Sequence, residues 1–131
     1  MEGMSSTMTT LYEATVTRIG ADAQDMIDAG VVILFGEPCP DALAEVSVVH
    51  EGGTAGEGLA PQPGDVVVLG STELTVRAAG ELAGQNLREL GHVVLYCDPA
   101  DDQALLPGAV FVDGQAGPIA AGDRIALERR G

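Results

Sequence analysis

The sequence predicts an all-β protein: a small, mostly antiparallel β-barrel of short strands with one or two short helices. Three observations carry this expectation. Eighteen glycines and seven prolines punctuate the chain with turns. Apolar residues make up 46% of the chain and only 3% are aromatic, so a core must be assembled from short runs rich in Val, Leu, Ile and Ala. Segments of helical period are few and short, and no βαβ alternation of the kind that builds a parallel sheet is visible.

The elements follow in order. Leu11 to Ile19, rich in Thr and β-branched residues, reads as a first strand. Ala21 to Ala29 reads as a short helix, with Asp22 and Asp25 in its first turn and Gly30 to cap its end. Val31 to Phe35 is a continuous apolar strand, broken by Gly36-Glu37-Pro38-Cys39-Pro40. Asp41 to Ala44 suits one helical turn, and Glu45 to His50 is the next strand. Glu51 to Gly58 holds four glycines and reads as a mobile loop. Pro63-Gly64-Asp65 turns into Val66 to Leu69, and Gly70-Ser71 marks a hairpin to Glu73 to Ala79. Gly84 to Leu90 is a short helical or irregular link before Val93 to Cys97. Asp98 to Leu106 is a connection, Pro107-Gly108 turns into Ala109 to Val112, and Asp123 to Glu128 closes the set. The Pro-Gly turns recur, but the strands between them differ, so no internal repeat is read from them.

Residues 1–10 read as a disordered N-terminal lead and residues 11–131 as a single domain of ordinary size. The lead has no basic n-region and no hydrophobic h-region, and no apolar stretch approaches the roughly 20 residues of a membrane span. These features lead to an expected location in the cytoplasm. Cys39 and Cys97 form neither a CxxC pair nor a zinc spacing, and free thiols are expected, Cys97 packed in a strand and Cys39 exposed in a loop. No cofactor and no metal are expected.

Six arginines, no lysine and 20 carboxylates give a net charge of −14. Such a surface repels phosphate backbones and argues against nucleic-acid binding. It suits a basic protein partner, and it equally serves solubility.

The chemistry-bearing residues are scarce. No G-x-S-x-G, Cys–His signature, Walker loop or helix-opening GxGxxG is present. Two histidines remain, each beside a strand-like run. His50 ends Ala44-Glu45-Val46-Ser47-Val48-Val49 and precedes Glu51-Gly52-Gly53. Alternation puts it on the face of Val46 and Val48, the polar end of an apolar row, with a rigid base and an open front. The same pattern suits a structural histidine bonded to backbone. His92 opens Val93 to Cys97 behind Gly91, which is also a common structural setting.

The segment Gly84-Gln85-Asn86-Leu87-Arg88-Glu89-Leu90-Gly91-His92-Val93 resembles the signature of the glucitol/sorbitol-specific IIA component of the bacterial sugar phosphotransferase system. Thr15 to Gly20, Ile33 to Glu37, Pro40 to Glu45 and Pro107-Gly108 are similar to that family in order and spacing, and together the resemblance covers residues 11 to 128. It implies a phosphocarrier on a small β-barrel fold. By position His50 is the phosphoryl acceptor; HPr is the donor, and the IIB domain of an IIB/IIC membrane transporter is the recipient. It also implies a place beside that transporter at the membrane. His92 is then a candidate second catalytic residue, orienting the His50 ring. Gly52 and Gly53 are candidates to hold phosphoryl oxygens in a backbone nest, or else a hinge. The spare Glu51-Gly52-Gly53 departs from the family, which is more polar there. The rival expectation is a regulatory or binding barrel that keeps the fold without the relay. A homodimer is expected from exposed strand edges. The sequence does not identify the sugar.

Overall fold

The computed structural model describes residues 8–55 and 60–130. Its eight strands close into one barrel in the order β1-β3-β2-β6-β7-β5-β4-β8. In chain order these are β1 (Met8–Ile19), β2 (Val31–Gly36), β3 (Val48–Ala55), β4 (Val66–Leu69), β5 (Thr72–Ala79), β6 (Val93–Cys97), β7 (Ala109–Asp113) and β8 (Arg124–Arg130). Three short helices punctuate them: α1 (Ala23–Asp28), α2 (Asp41–Ala44) and α3 (Ala83–Leu90). The expected all-β barrel is the observed one.

Several local expectations change. β1 begins at Met8, so residues 8–10 belong to the barrel and not to a lead; residues 1–7 lie outside the described residues. β3 starts later than expected and runs through Glu51, Gly52 and Gly53, so Glu51 to Ala55 is strand and not loop. The glycines enter the ladder as a β-bulge against β1, between the Glu13–Thr54 and Thr15–Glu51 pairs, with Gly52 at φ +74. Two strand pairs are parallel, β2 with β3 and β6 with β7. The first is joined through α2, a helix of four residues, too short for a helical period to show in the sequence. Closure pairs each of the eight described strands on both sides, so among the described residues the barrel leaves no unpaired edge strand of the kind the edge-to-edge homodimer would use.

The barrel is an internal duplication, which the sequence reading did not detect. β1-α1-β2-α2-β3-β4 and β5-α3-β6-β7-β8 follow the same path apart from α2, and exchanging them maps the strand order onto itself. Equivalent residues make equivalent bonds. The Gly20 N–H donates to the Ser47 carbonyl and the Gly80 N–H to the Ala109 carbonyl; the Asp22 and Leu82 N–H groups donate to Glu45 and Pro107. The Gly64 N–H donates to Val76 O and the Gly122 N–H to Val16 O, and Val76 and Val16 donate back to Asp65 and Asp123. The β1–β3 and β5–β7 ladders carry bulges at the same place, between Val16 and Arg18 and between Val76 and Ala78. The copies share their pairing and, around the first crossing, side chains as well: Glu13, Thr15, Val16, Gly20 and Ala23 return as Glu73, Thr75, Val76, Gly80 and Ala83. Other positions vary, because a barrel specifies which positions face inward more strongly than which apolar residue sits there.

Inward alternation builds the core: Tyr12, Ala14 and Val16 from β1, Val32 and Leu34 from β2, and in the second half Leu74, Val76, Val93 and Leu95, all below 5% exposed. A second cluster of Phe35, Cys39, Ala44 and Val49 packs outside the sheet. Cys39 is therefore buried and not exposed, and burial pushes its thiol pKa up. Cys39 and Cys97 are free thiols.

Gly20 and Gly80 mark the tightest crossings. A Cβ on Gly20 would run into the carbonyls of Ala44 and Glu45, and on Gly80 into those of Leu106 and Pro107. The obstacle is backbone in each case and cannot turn aside. Gly20→Ala and Gly80→Ala should each cost at least about 1–3 kcal/mol, as overpacking does, read as a lower urea midpoint at unchanged m-value. A midpoint equal to wild type in either variant would contradict the close crossing.

Candidate functional site

His50 lies inside the barrel wall, at the β3 position paired with Val16 on β1 and Gly36 on β2. Its carbonyl accepts the Glu37 N–H at 2.8 Å, fixing the backbone on the β2 side. Its side chain shares the inward face with Val48, as alternation predicts. The open front does not hold: His50 is 0% exposed.

The Tyr12 hydroxyl is 2.9 Å from His50 Nε2, and the two rings meet edge to face at 84° with centroids 5.9 Å apart. On the other side stands Gly91, the left-handed C-cap of α3 at φ +65. A Cβ there would come 2.9 Å from Nε2 and 2.8 Å from Gly36 N and Cα. Only glycine meets both the backbone conformation and this approach. Nδ1 is buried without a hydrogen-bond partner.

Against His50 lies a cavity of about 270 Å³, walled by Tyr12, His50, Gly52, Gly53, Leu90 and Gly91 among others. Among the described residues four charged side chains line it: Glu37, Glu51, Glu89 and a single cation, Arg88. Arg88 has no ion-pair partner among the described residues. Glu37, by contrast, is engaged by Thr17 Oγ1 at 3.1 Å and Arg18 Nη2 at 3.4 Å.

Desolvation lowers the His50 pKa from its usual 6.5. The Val48 carbonyl, outside hydrogen-bond geometry for Nδ1, and the Glu37 carboxylate oppose this more weakly. The imidazole is thus neutral near pH 7, as a nucleophile must be. Burial also pushes the Tyr12 hydroxyl up to about 12, so it remains a neutral O–H.

Of the residues expected at a site, the structure brings His50, Gly52 and Gly53 to one cavity and leaves His92 outside it. His92 shares the outward parity of Val94 and Tyr96 on β6; its Nδ1 is 3.1 Å from the Leu34 carbonyl and its ring packs on Phe35 at 4.8 Å. Its contact with the site runs through Phe35, which lines the cavity from the other side. The imidazole partner expected for His50 is instead Tyr12, which sequence reasoning passed over. The available signal was one tyrosine in inward phase with Ala14 and Val16. Gly53 follows from it, since a Cβ there would collide with the Tyr12 hydroxyl and stand 2.8 Å from Cζ.

No group of three or more metal-ligating side chains occurs among the described residues, and no helix among them is long and apolar enough to cross a membrane. A neutral, buried imidazole facing a small polar cavity beside one arginine is the equipment of a group carrier that needs little besides position.

Comparison with known proteins assigns that class. Residues 11–126 match the family described as "PTS system glucitol/sorbitol-specific IIA component". The chain is 41% identical over 112 residues to the glucitol/sorbitol-specific EIIA components of Shigella flexneri and of Escherichia coli (strain K12), covering 86% of this chain and 86% of each relative. The crystal structure of a PTS system IIA component from Enterococcus faecalis V583 superposes with a TM-score of 0.73 at 30% identity, over 86% of this chain and 96% of that one. The fold and the relatives define a phosphocarrier of a sugar phosphotransferase system. The chain belongs to the glucitol/sorbitol-specific IIA component family.

The lowered pKa gives His50 a pH signature. The folded protein resists a proton that the unfolded chain accepts near 6.5. This contribution to stability is full above the unfolded value and is lost as pH falls through it toward the lowered folded value. Thermal unfolding from about pH 7.5 to about pH 5 should show a decline that is shallower in His50→Gln. Parallel profiles would place the slope on the carboxylates instead.

Proposed function

We propose that His50 is the phosphoryl-accepting residue, taking the group from HPr and passing it to the IIB domain of an IIB/IIC membrane transporter. The observation that carries this reading is that His50 alone of the two histidines lines the cavity, with Nε2 between Tyr12 and Gly91 on its wall. Family membership supplies the reaction, and the geometry supplies a residue able to perform it. The protein would act in the cytoplasm, against the transporter's inner face.

Arg88 stands where it would offset charge on the incoming phosphoryl group. Glu37, Glu51 and Glu89 around it keep the site net acidic. A phosphoryl group held there is poorly neutralised, which favours passing it on over storing it. Gly52 and Gly53 line the same cavity, and their N–H groups are proposed donors to the phosphoryl oxygens. His92 is proposed to act from behind, by holding Phe35 in the cavity wall.

Docking would use two features of the rim. Leu90, 51% exposed, offers apolar surface at the cavity mouth. The acidic residues around it, within a chain of net charge −14, suit a basic face on the donor.

Two measurements test the reading. With phosphoenolpyruvate, enzyme I and HPr, wild type should take up acid-labile, base-stable phosphate and His50→Ala none. Equal incorporation in the two would remove His50 from the relay, and none in wild type would favour a regulatory barrel. In stopped flow, transfer from HPr should slow as salt rises, because a Debye length of about 8 Å at physiological ionic strength screens steering between exposed charges. A rate flat across salt would remove the electrostatic part of docking.

A further inference from the structure

We propose that Tyr12 is a positioning residue of the phosphoryl transfer. Its hydroxyl holds the Nε2 lone pair of His50 in the resting protein and moves to a phosphoryl oxygen once Nε2 carries the group. The proposal rests on His50 being the acceptor and specifies the reacting nitrogen.

Proton accounting gives the resting state. Tyr12 is 3% exposed and its phenol stays protonated. The hydrogen bond it makes is to His50 Nε2. Donating to that nitrogen is the arrangement that satisfies the buried O–H. Nε2 is then the lone-pair nitrogen and the ring proton sits on Nδ1, on the side of the Val48 carbonyl. Both ring nitrogens are out of solvent, but Nε2 is the one in contact with two residues of the cavity wall, Tyr12 and Gly91. The nitrogen that can attack is the one Tyr12 holds.

The surroundings fit a hydroxyl that changes partner. The Tyr12 hydroxyl occupies the space that a Cβ on Gly53 would take, and both residues lie on the cavity wall, so the oxygen stands within reach of a group that enters the cavity. Because His50 has no exposed surface, a phosphoryl group reaches Nε2 only if a neighbour yields. The Tyr12 hydroxyl is the neighbour whose hydrogen bond can be remade to the arriving group. The duplication supplies an internal control. The second-half counterparts, Thr72 and Val112, hold the same places, Thr72 pairing with Leu69 as Tyr12 pairs with Leu127. Both members of the pair are absent there together.

The step balances. The Nε2 lone pair forms a bond to phosphorus while the N–P bond of the donor's phosphohistidine breaks and returns its electron pair to the donor nitrogen. Nδ1 keeps its proton through the step. The Tyr12 O–H, freed from Nε2, donates to a phosphoryl oxygen, where a hydrogen bond to a charged group is stronger.

The test uses the full chain labelled with 15N-histidine. In wild type the His50 Nε2 shift should be pyridine-type and the Nδ1 shift pyrrole-type, and after phosphorylation 15N–31P coupling should appear on Nε2. Tyr12→Phe, which removes one oxygen from a buried ring, should mix the two tautomers. It should also slow phosphorylation by HPr on the order of tenfold, the rate equivalent of about one hydrogen bond. A wild-type tautomer with the proton on Nε2, coupling on Nδ1, or Tyr12→Phe transferring at the wild-type rate would each overturn the proposal. His50→Ala separates the two levels. Loss of labelling there, with Tyr12→Phe at full rate, leaves His50 as the acceptor and removes Tyr12. Undiminished labelling in His50→Ala removes the acceptor assignment itself. The tautomer measurement on wild type needs no variant to fold.

Discussion

The antiparallel pairing of β1 with β3 is the constraint on which the site depends. β1 also pairs with β8 and so completes the barrel, and it alone brings Tyr12 to His50. The bulge at Gly52–Gly53 belongs to the same ladder. An extra residue in β3 bends the strand beside the cavity, and the missing Cβ on Gly53 gives the tyrosine hydroxyl its place. Barrel closure, the polar contact of the imidazole and the shape of the cavity wall are one set of hydrogen bonds read from different sides.

Burying an imidazole with one hydrogen bond is costly, and the structure shows where the cost is accepted. Nδ1 lacks a partner in good geometry, and desolvation keeps the ring neutral. In a purely structural role an apolar residue would serve better, and the second half of the barrel has one: Val112, paired with Cys97 as His50 is with Gly36. Equivalent places in one scaffold thus hold a well-packed core residue and a poorly satisfied, chemically competent one. Local inconsistency of this kind is expected where function overrides packing.

The duplication also explains how α3 becomes part of the site. Gly30 follows α1, and a Cβ there would come 3.4 Å from the Cys97 carbonyl; Gly91 follows α3 and approaches Gly36 and the His50 ring more closely. The two helix ends perform the same chain reversal, yet only one faces an imidazole. The run that ends in Leu90-Gly91-His92 is thereby tied to function through Gly91 and the lining residue Arg88. His92, the residue in it that draws notice first, points to the outer face.

The sequence by itself determined the strand count, most strand positions, the inward phase of His50 and the family. Turn glycines, β-branched runs and period-two alternation are local signals, and a chain this short in helix leaves few folds that bury them. The length of β3 was not legible, because Gly52 and Gly53 look like a loop unless β1 is known to lie beside them. The repeat left a trace, Glu13, Thr15, Val16, Gly20 and Ala23 returning as Glu73, Thr75, Val76, Gly80 and Ala83, but these identities are scattered through one short segment, and the shared hydrogen bonds are what show that the two halves follow one path. Cys39 looked exposed because the proline-flanked segment around it gave no hint that it packs against Phe35, Ala44 and Val49. What only the tertiary structure decided is which polar atoms meet: Tyr12 with His50, Gly91 over Nε2, His92 turned away. Those contacts join β1, β3 and the end of α3 across the barrel, and no local pattern along the chain records a distance between strands.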